Sequence, residues 1–348
     1  MRLRILLSAF VLSITFASIA SAQRSRGLEV GSPAPGLDVE WVKGSFNPNG
    51  ENVYIVEFWA TWCAPCRKSI PHLTKLQEEF GEDGLTVIGI SIDQDPDLVE
   101  PFVNRQGMKM DYTVGVDNRS RTKRSWMDAA GQKGIPVAFI VDRENIIQFI
   151  GHPMNELFDE ILVKVMAGRY NLKKQIEAAP SIRAAESYRA GNSWAEASKA
   201  YDNAIAIDNM VFAELYIEQF NMLLIDKKDP TAAYKYITKI MLERGAEDSE
   251  LLTWIARNIA SNEDIPAINR KMDFALNTAT TALTYARSKT DPKYLSTIAF
   301  VHFKNGDIDN AIEWQRKAYF SAREKDKEPY KFDLKSYKTQ KQHVDAGE

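Results

Sequence analysis

The sequence predicts an α/β domain, a mixed sheet with helices on both faces, followed by an all-helical domain. Three observations carry this. Up to about residue 165, short β-branched and aromatic runs alternate with segments of helical spacing. The runs Pro136 to Val141 and Ile146 to Ile150 are separated only by Asp142-Arg143-Glu144-Asn145, which marks a hairpin and so a sheet that is not wholly parallel. Beyond about residue 170 the strand signals vanish, and Ala, Lys, Glu and aromatics recur at helical spacing. A length of 348 residues fits two domains.

The elements follow in order. Met1-Arg2-Leu3-Arg4 is a basic head, Ile5 to Ile19 is apolar or small, and Ala20-Ser21-Ala22 offers small residues for cleavage before Gln23. Residues 1–22 therefore read as a secretory signal, the alternative being a single uncleaved membrane anchor. Either way the folded part is expected outside the cytoplasm, in the periplasm or an equivalent compartment. Gly31 to Leu37 is turn-rich and extended. Val53 to Trp59 reads as a buried strand, and Ser69 to Phe80 as a helix with Ile70, Leu73, Leu76 and Phe80 on one face. Strands follow at Leu85 to Ile92 and Tyr112 to Val116, with helices at Asp97 to Gln106 and Lys123 to Ala130. Asn155 to Met166 closes a domain spanning 28–168.

In 170–325 two segments look alike. Ala184 to Ile205 and Ile298 to Ala318 each give a helix, a Gly-Asn or Gly-Asp turn and a second helix, with small residues at Ala197, Ala204, Ala311 and Ala318. This resembles the tetratricopeptide repeat, whose small residues sit where paired helices touch; a generic helical bundle is the alternative. Further helices are expected near 211–226, 230–244, 248–260 and 266–287. Residues 326–348 are charged and read as a flexible tail. The net charge of −3 gives no basic field for nucleic acid.

The chemistry centres on Cys63 and Cys66, the chain's two cysteines. A structural zinc site needs about four ligands. No further cysteine exists, and His72, His152, His302 and His343 show no ligand spacing, so no metal is expected. A disulfide closing so short a loop removes little unfolded-chain entropy, so the pair is not a staple. A redox couple remains. Lying between a strand and a helix, Cys63 gains from orphan amides and the helix dipole, which lower a thiol pKa. Cys63 would attack a substrate disulfide, and Cys66, a turn inside and less exposed, would resolve the mixed disulfide.

Val56-Glu57-Phe58-Trp59-Ala60-Thr61-Trp62-Cys63-Ala64-Pro65-Cys66-Arg67 resembles the active-site segment of thioredoxin-like proteins, in particular the exported TlpA-like or ResA-like subgroup. Pro71 matches the proline that kinks the family's active-site helix, and the stretch between about 94 and 116 resembles the subgroup's insertion. Gly134-Ile135-Pro136-Val137 resembles the family's cis-proline segment. The resemblance implies that Pro136 is cis and that the Ile135 backbone pairs with a substrate strand; Trp62, Ala64 and Pro65 are expected at the substrate surface, with simple packing beside the pair as the alternative for Trp62. An ordinary trans proline opening a strand is the alternative. Glu57 stands where thioredoxins carry a buried aspartate, which makes it the proton acceptor for Cys66; the alternative is a glutamate reaching solvent or a lysine. Some relatives carry a glutamate three residues after the second cysteine, where this chain has Ser69. His152 reads as a turn or cap residue rather than a disulfide neighbour.

Ala64-Pro65 lacks the thiolate-stabilising histidine of strongly oxidising relatives, which points to a reducing couple nearer thioredoxin's, at about −270 mV. The expected protein is thus an exported thiol–disulfide oxidoreductase without a cofactor. Its partners would be exported disulfide-containing proteins, a membrane thiol electron donor, and a protein recruited by the repeat-like helices. A disulfide oxidase or isomerase, and a binding scaffold, are the alternatives. A peroxidase would need Pro-x₃-Thr-x-x-Cys, which Thr61, two residues before Cys63, does not supply.

Overall fold

The computed structural model describes residues 27–48 and 50–346, so the expected signal segment lies outside it. The first half is built from β1 (Val39–Lys43), β2 (Val53–Trp59), α1 (Cys66–Phe80), β3 (Leu85–Ser91), α2 (Val99–Gln106), β4 (Thr113–Asp117), α3 (Arg121–Lys123, continuing as a π turn to Asp128), β5 (Val137–Val141), β6 (Ile147–Gly151) and α4 (Glu156–Met166). The six strands lie in the order β1-β4-β3-β2-β5-β6. Strands β2, β3 and β4 are mutually parallel, while β1, β5 and β6 run against their neighbours. This is the thioredoxin-like mixed sheet.

All seven residues of β2 are buried, as its central place between β3 and β5 requires. Side chains alternate across a strand. Tyr54, Val56 and Phe58 therefore enter one core, with Trp126 and Phe139. Val53, Ile55 and Trp59 enter the other, with Ile70 and Leu73 of α1 and Phe158 of α4. Glu57 falls between Ile55 and Trp59 on this second face, pointed at α1.

The second half holds α5 (Leu172–Ala190), α6 (Trp194–Ile207), α7 (Glu214–Asn221, with a π turn to Asp226), α8 (Pro230–Arg244), α9 (Ser249–Ser261), α10 (Met272–Tyr285), α11 (Pro292–Lys304), α12 (Ile308–Ser321) and α13 (Lys327–Asp345). Ala197, Ala204, Ala311 and Ala318 are fully buried. The turn of the α5–α6 hairpin uses Asn192 at φ +58°, and that of the α11–α12 hairpin uses Gly306 at φ +81°. Both are residue types that tolerate the left-handed region.

Three expectations differ from the structure. The segment 326–348, read as a flexible tail, is mostly the helix α13. Its charges face water, but Leu334 and Tyr337 are buried, and the Tyr337 ring stacks on Phe303 at 4.3 Å. Two apolar anchors on one face are enough to dock a helix whose average composition looks solvated. Strand β1 was not expected. It is an edge strand, only partly buried, carrying Glu40 and Lys43, so its pattern is weak. Helix α1 starts at Cys66 rather than Ser69, so Cys66 opens the helix instead of lying a turn inside.

The two halves join at the end of the sheet remote from Cys63. Strand β2 runs toward Cys63 and β5 runs away from Pro136, which puts the β5–β6 turn at the far pole. There Arg143 Nη1 donates to the Met166 carbonyl oxygen at 3.1 Å, and Lys174 Nζ bridges Glu144 (3.1 Å) and Asp208 (3.0 Å). Arg169 is the bolt. Its buried guanidinium meets Asp248 at 2.6 Å and Glu250 at 3.4 Å, and lies 4.2 Å over the Trp254 ring. Gln148 of β6 accepts from the Leu172 amide at 3.0 Å.

Candidate active site

Cys63 and Cys66 form a disulfide, with Cα atoms 5.3 Å apart. Strand β2 ends at Trp59, and the loop to α1 is pinned by Asp93, just beyond β3. Asp93 accepts from the Thr61 amide (2.9 Å), the Thr61 hydroxyl (2.7 Å) and the Ser91 hydroxyl (2.6 Å). The loop therefore has one path, and it delivers Cys63 to the N-terminus of α1. The Cys66 amide donates to the Cys63 sulfur at 3.1 Å. On reduction that amide and the helix dipole favour the thiolate of Cys63. Cys63 is 4 % exposed and Cys66 fully buried, so Cys63 is the cysteine nearer to solvent.

The Ile135–Pro136 peptide is cis. The Ile135 carbonyl oxygen lies 3.8 Å from the Cys63 sulfur, and among the described residues the Ile135 amide has no backbone hydrogen-bond partner. Trp62, Ala64 and Pro65 are all exposed around the disulfide, Trp62 by 65 %. A groove of about 390 Å³ opens beside them, between Thr61, Trp62 and Arg67 on one side and Leu98, Phe102 and Arg105 on the other. The stretch around α2 supplies the second wall. His152 stays in its turn, its Nδ1 accepting from the Met154 amide at 3.1 Å.

Glu57 is wholly buried beneath the disulfide's helix. No lysine or arginine pairs with it among the described residues, and its one hydrogen bond comes from the Ser69 hydroxyl, 2.6 Å from Oε1. Burial pushes its carboxyl up to about 8, against a partial lowering by the hydroxyls of Ser69 and Tyr112. The Tyr112 hydroxyl is near enough to act on that charge but outside hydrogen-bond geometry. Tyr112 Oη and Glu57 Oε2 are both buried without a partner, as is Trp59 Nε1. Burial, and then the Glu57 carboxylate, also raise the Tyr112 phenol. Gly89 lies opposite Glu57 in β3. A Cβ there would come within 2.9 Å of the Tyr112 ring and 3.1 Å of Trp59 Nε1, so this glycine makes room for both rings.

Among the described residues no cluster of His, Cys, Asp or Glu could hold a metal ion. Sequence reasoning had placed Cys63, Cys66, Glu57 and Pro136 in one site, and the structure brings all four together. It had not found Asp93, Ser69's contact or Tyr112. Asp93 follows an apolar strand and precedes Asp95 and Asp97, so its signal was lost in an acidic loop.

A disulfide pair at a helix N-terminus, opposite a cis-proline loop, is the arrangement that the resemblance to thioredoxin-like proteins implied. Residues 32–150 match the AhpC/TSA family. The curated proteins it is similar to include the thiol-disulfide oxidoreductase ResA, protein FixW and the thiol:disulfide interchange protein HelX. The chain is 27 % identical over 144 residues to the thiol-disulfide oxidoreductase ResA of Bacillus anthracis, covering 40 % of this chain and 79 % of that one. It is 27 % identical over 153 residues to protein FixW of Rhizobium leguminosarum, covering 41 % and 68 %. It is 31 % identical over 129 residues to the thiol:disulfide interchange protein HelX of Rhodobacter capsulatus, covering 36 % and 64 %. Among solved structures, a thioredoxin-family thiol:disulfide interchange protein of Chlorobium tepidum aligns over 41 % of this chain and 99 % of its own, with 25 % identity and a TM-score of 0.31. The protein is a thiol–disulfide oxidoreductase, a redox enzyme, with Cys63 and Cys66 as its CxxC pair.

Proposed function

We propose that the chain is exported and reduces disulfides in other exported proteins. The observation that carries the chemistry is the single partly accessible sulfur, Cys63, held against a helix N-terminal amide and the Ile135 carbonyl. In the reduced protein the Cys63 thiolate attacks a substrate sulfur. One substrate thiolate leaves, and a mixed disulfide forms. Cys66 then gives its proton to Glu57, and its sulfur attacks Cys63. The Cys63–Cys66 bond forms, and the second substrate sulfur leaves with the electron pair. Trp62, Ala64, Pro65, Ile135 and cis-Pro136 form the surface on which the substrate strand lies. Ala64-Pro65 offers the Cys63 thiolate no hydrogen-bonding side chain, which favours a reducing potential over an oxidase or isomerase.

Export rests on the basic head, apolar run and Ala20-Ser21-Ala22 of residues 1–22. A membrane thiol protein is the natural electron donor in such a compartment. The domains are assigned as 28–168 for the redox unit and 170–325 for the helical unit. The paired helices with buried Ala197 and Ala311 support a repeat-like module that holds a protein partner. A peroxidase is disfavoured, because Thr61 is committed to Asp93 by both its amide and its hydroxyl and stands away from Cys63 chemistry.

The test is a trap. Cys66→Ser should stall the mixed disulfide at Cys63 and accumulate adducts that dithiothreitol releases. Adducts that also form with Cys63→Ser, or none with any exported protein, would refute the reading.

A further inference from the structure

Ser69 is fully buried in the first turns of α1. Its hydroxyl lies 2.6 Å from Glu57 Oε1 and 3.0 Å from the Cys66 carbonyl oxygen. A hydroxyl has one hydrogen to donate and can accept in return. Both neighbours are acceptors while Glu57 is ionised, so the hydrogen can serve only one of them. We propose that Ser69 is a positioning residue for proton transfer from Cys66: its hydrogen turns between Glu57 and the Cys66 carbonyl as Glu57 loses and gains a proton. This rests on Glu57 being the proton acceptor.

The geometry works in both states. With Glu57 ionised, Ser69 donates to Oε1, the stronger, charge-assisted bond. With Glu57 protonated on Oε1, the carboxyl donates to Ser69 Oγ, and Ser69 turns its hydrogen to the Cys66 carbonyl. In neither state is Oε1 left orphaned, which at full burial would be costly. The hydroxyl thus spans the acid and the backbone of the cysteine it serves.

The step balances without another reagent. The Cys66 S–H bond breaks, and its proton forms an O–H bond on Glu57. The sulfur's electron pair forms the Cys66–Cys63 bond. The Cys63–substrate S–S bond breaks, and its pair leaves on the substrate thiolate. Cys66 and Cys63 are oxidised together, and the substrate is reduced by two electrons.

Few other groups can set the acidity of Glu57. Tyr112 faces it from the segment entering β4, and Cys66 from α1. Its register partners, Gly89 of β3 and Ala138 of β5, carry no charge. Ser69 is the one donor in hydrogen-bond contact, so its removal should be felt almost undiluted.

The experiment is infrared titration of the carboxyl C=O band of Glu57 in the oxidised full chain. The band is assigned by its loss in Glu57→Gln. A parallel pH–rate profile follows mixed-disulfide resolution on a cystine-containing peptide. Ser69→Ala should raise the midpoint by about one pH unit, the excess of a hydrogen bond to the charged carboxylate over one to the neutral acid. It should move the rate profile the same way, with the fold retained and stability falling more above the midpoint than below it. Ser69→Thr should restore the midpoint if the methyl is accommodated, and Ser69→Cys, a weaker donor, should fall between. A midpoint that Ser69→Ala leaves in place, while Glu57→Gln removes the band and flattens the rate profile, would overturn the Ser69 role alone. A rate profile untouched by Glu57→Gln would overturn both readings.

Discussion

Glu57 and Arg169 are both ionisable side chains taken out of water, and the fold treats them in opposite ways. Arg169, at the junction of the two halves, is matched by Asp248, Glu250 and the face of Trp254. Glu57, under the disulfide, has one hydroxyl and, among the described residues, no cation. A buried charge with a full set of partners keeps its charge and acts as a fixture. A buried carboxyl without a cation is held close to neutrality, where it can give and take a proton. The contrast separates a joint from a reactive centre inside one chain.

The largest expected effect is on pH. The native carboxyl of Glu57 is raised from 4.5 to about 8. Below pH 4.5 it is protonated in both the native and unfolded states, and its contribution to stability is fully present. As pH rises from there to about 8, the unfolded chain releases the proton first, so that stability is lost. The total reaches on the order of 5 kcal/mol. Denaturant titrations of the oxidised protein should show this slope, and Glu57→Gln should remove it. A wild-type slope equal to that of Glu57→Gln would break the comparison.

Next comes the junction. Arg169→Ala leaves Asp248 buried and unpaired and should cost about 3–5 kcal/mol, read as a lower melting temperature. Glu250 should suffer less, since Lys293 also pairs with it. The double variant Arg169→Met with Asp248→Asn removes both charges while keeping an acceptor for the Leu251 amide at the start of α9, and should recover most of that loss. If the double variant is as unstable as the single one, the pair is doing more than cancelling its own burial. The smallest effect is at the surface. Trp62→Ala should change stability by no more than about 0.5 kcal/mol, yet raise KM for a disulfide peptide several-fold, because Trp62 is exposed beside the reacting sulfur.

How much of this was legible in the sequence depended on the range of the signal. Cys63, Cys66, Glu57 and Pro136 are marked by residue type against a local background: two lone cysteines, an acid in an apolar strand, a proline opening a strand. The central strands declared themselves by composition, since both their faces are buried. Ser69 was visible as a departure from relatives, but its contact with Glu57 needs the packing of α1 on β2. Arg169 carried no signal, because Asp248 lies 79 residues away and one arginine after a glycine looks like any loop cation. Helix α13 was hidden by its five lysines and three acidic residues, which outnumber the two residues that anchor it.

Joining the halves at the pole opposite Cys63 has a consequence for reach. Strand β2 has seven residues, so the sheet alone separates the poles by about 20 Å. Under the proposed recruitment, a partner gripped by the helices would have to pay out a slack segment of comparable length before its cysteines arrived at Trp62. The helices would then act as a mooring, raising the local concentration of disulfides at the sulfur without shaping the reaction itself. Lengthening or shortening the client's tether should tune turnover, while small untethered disulfides should be reduced equally well with or without the helical half.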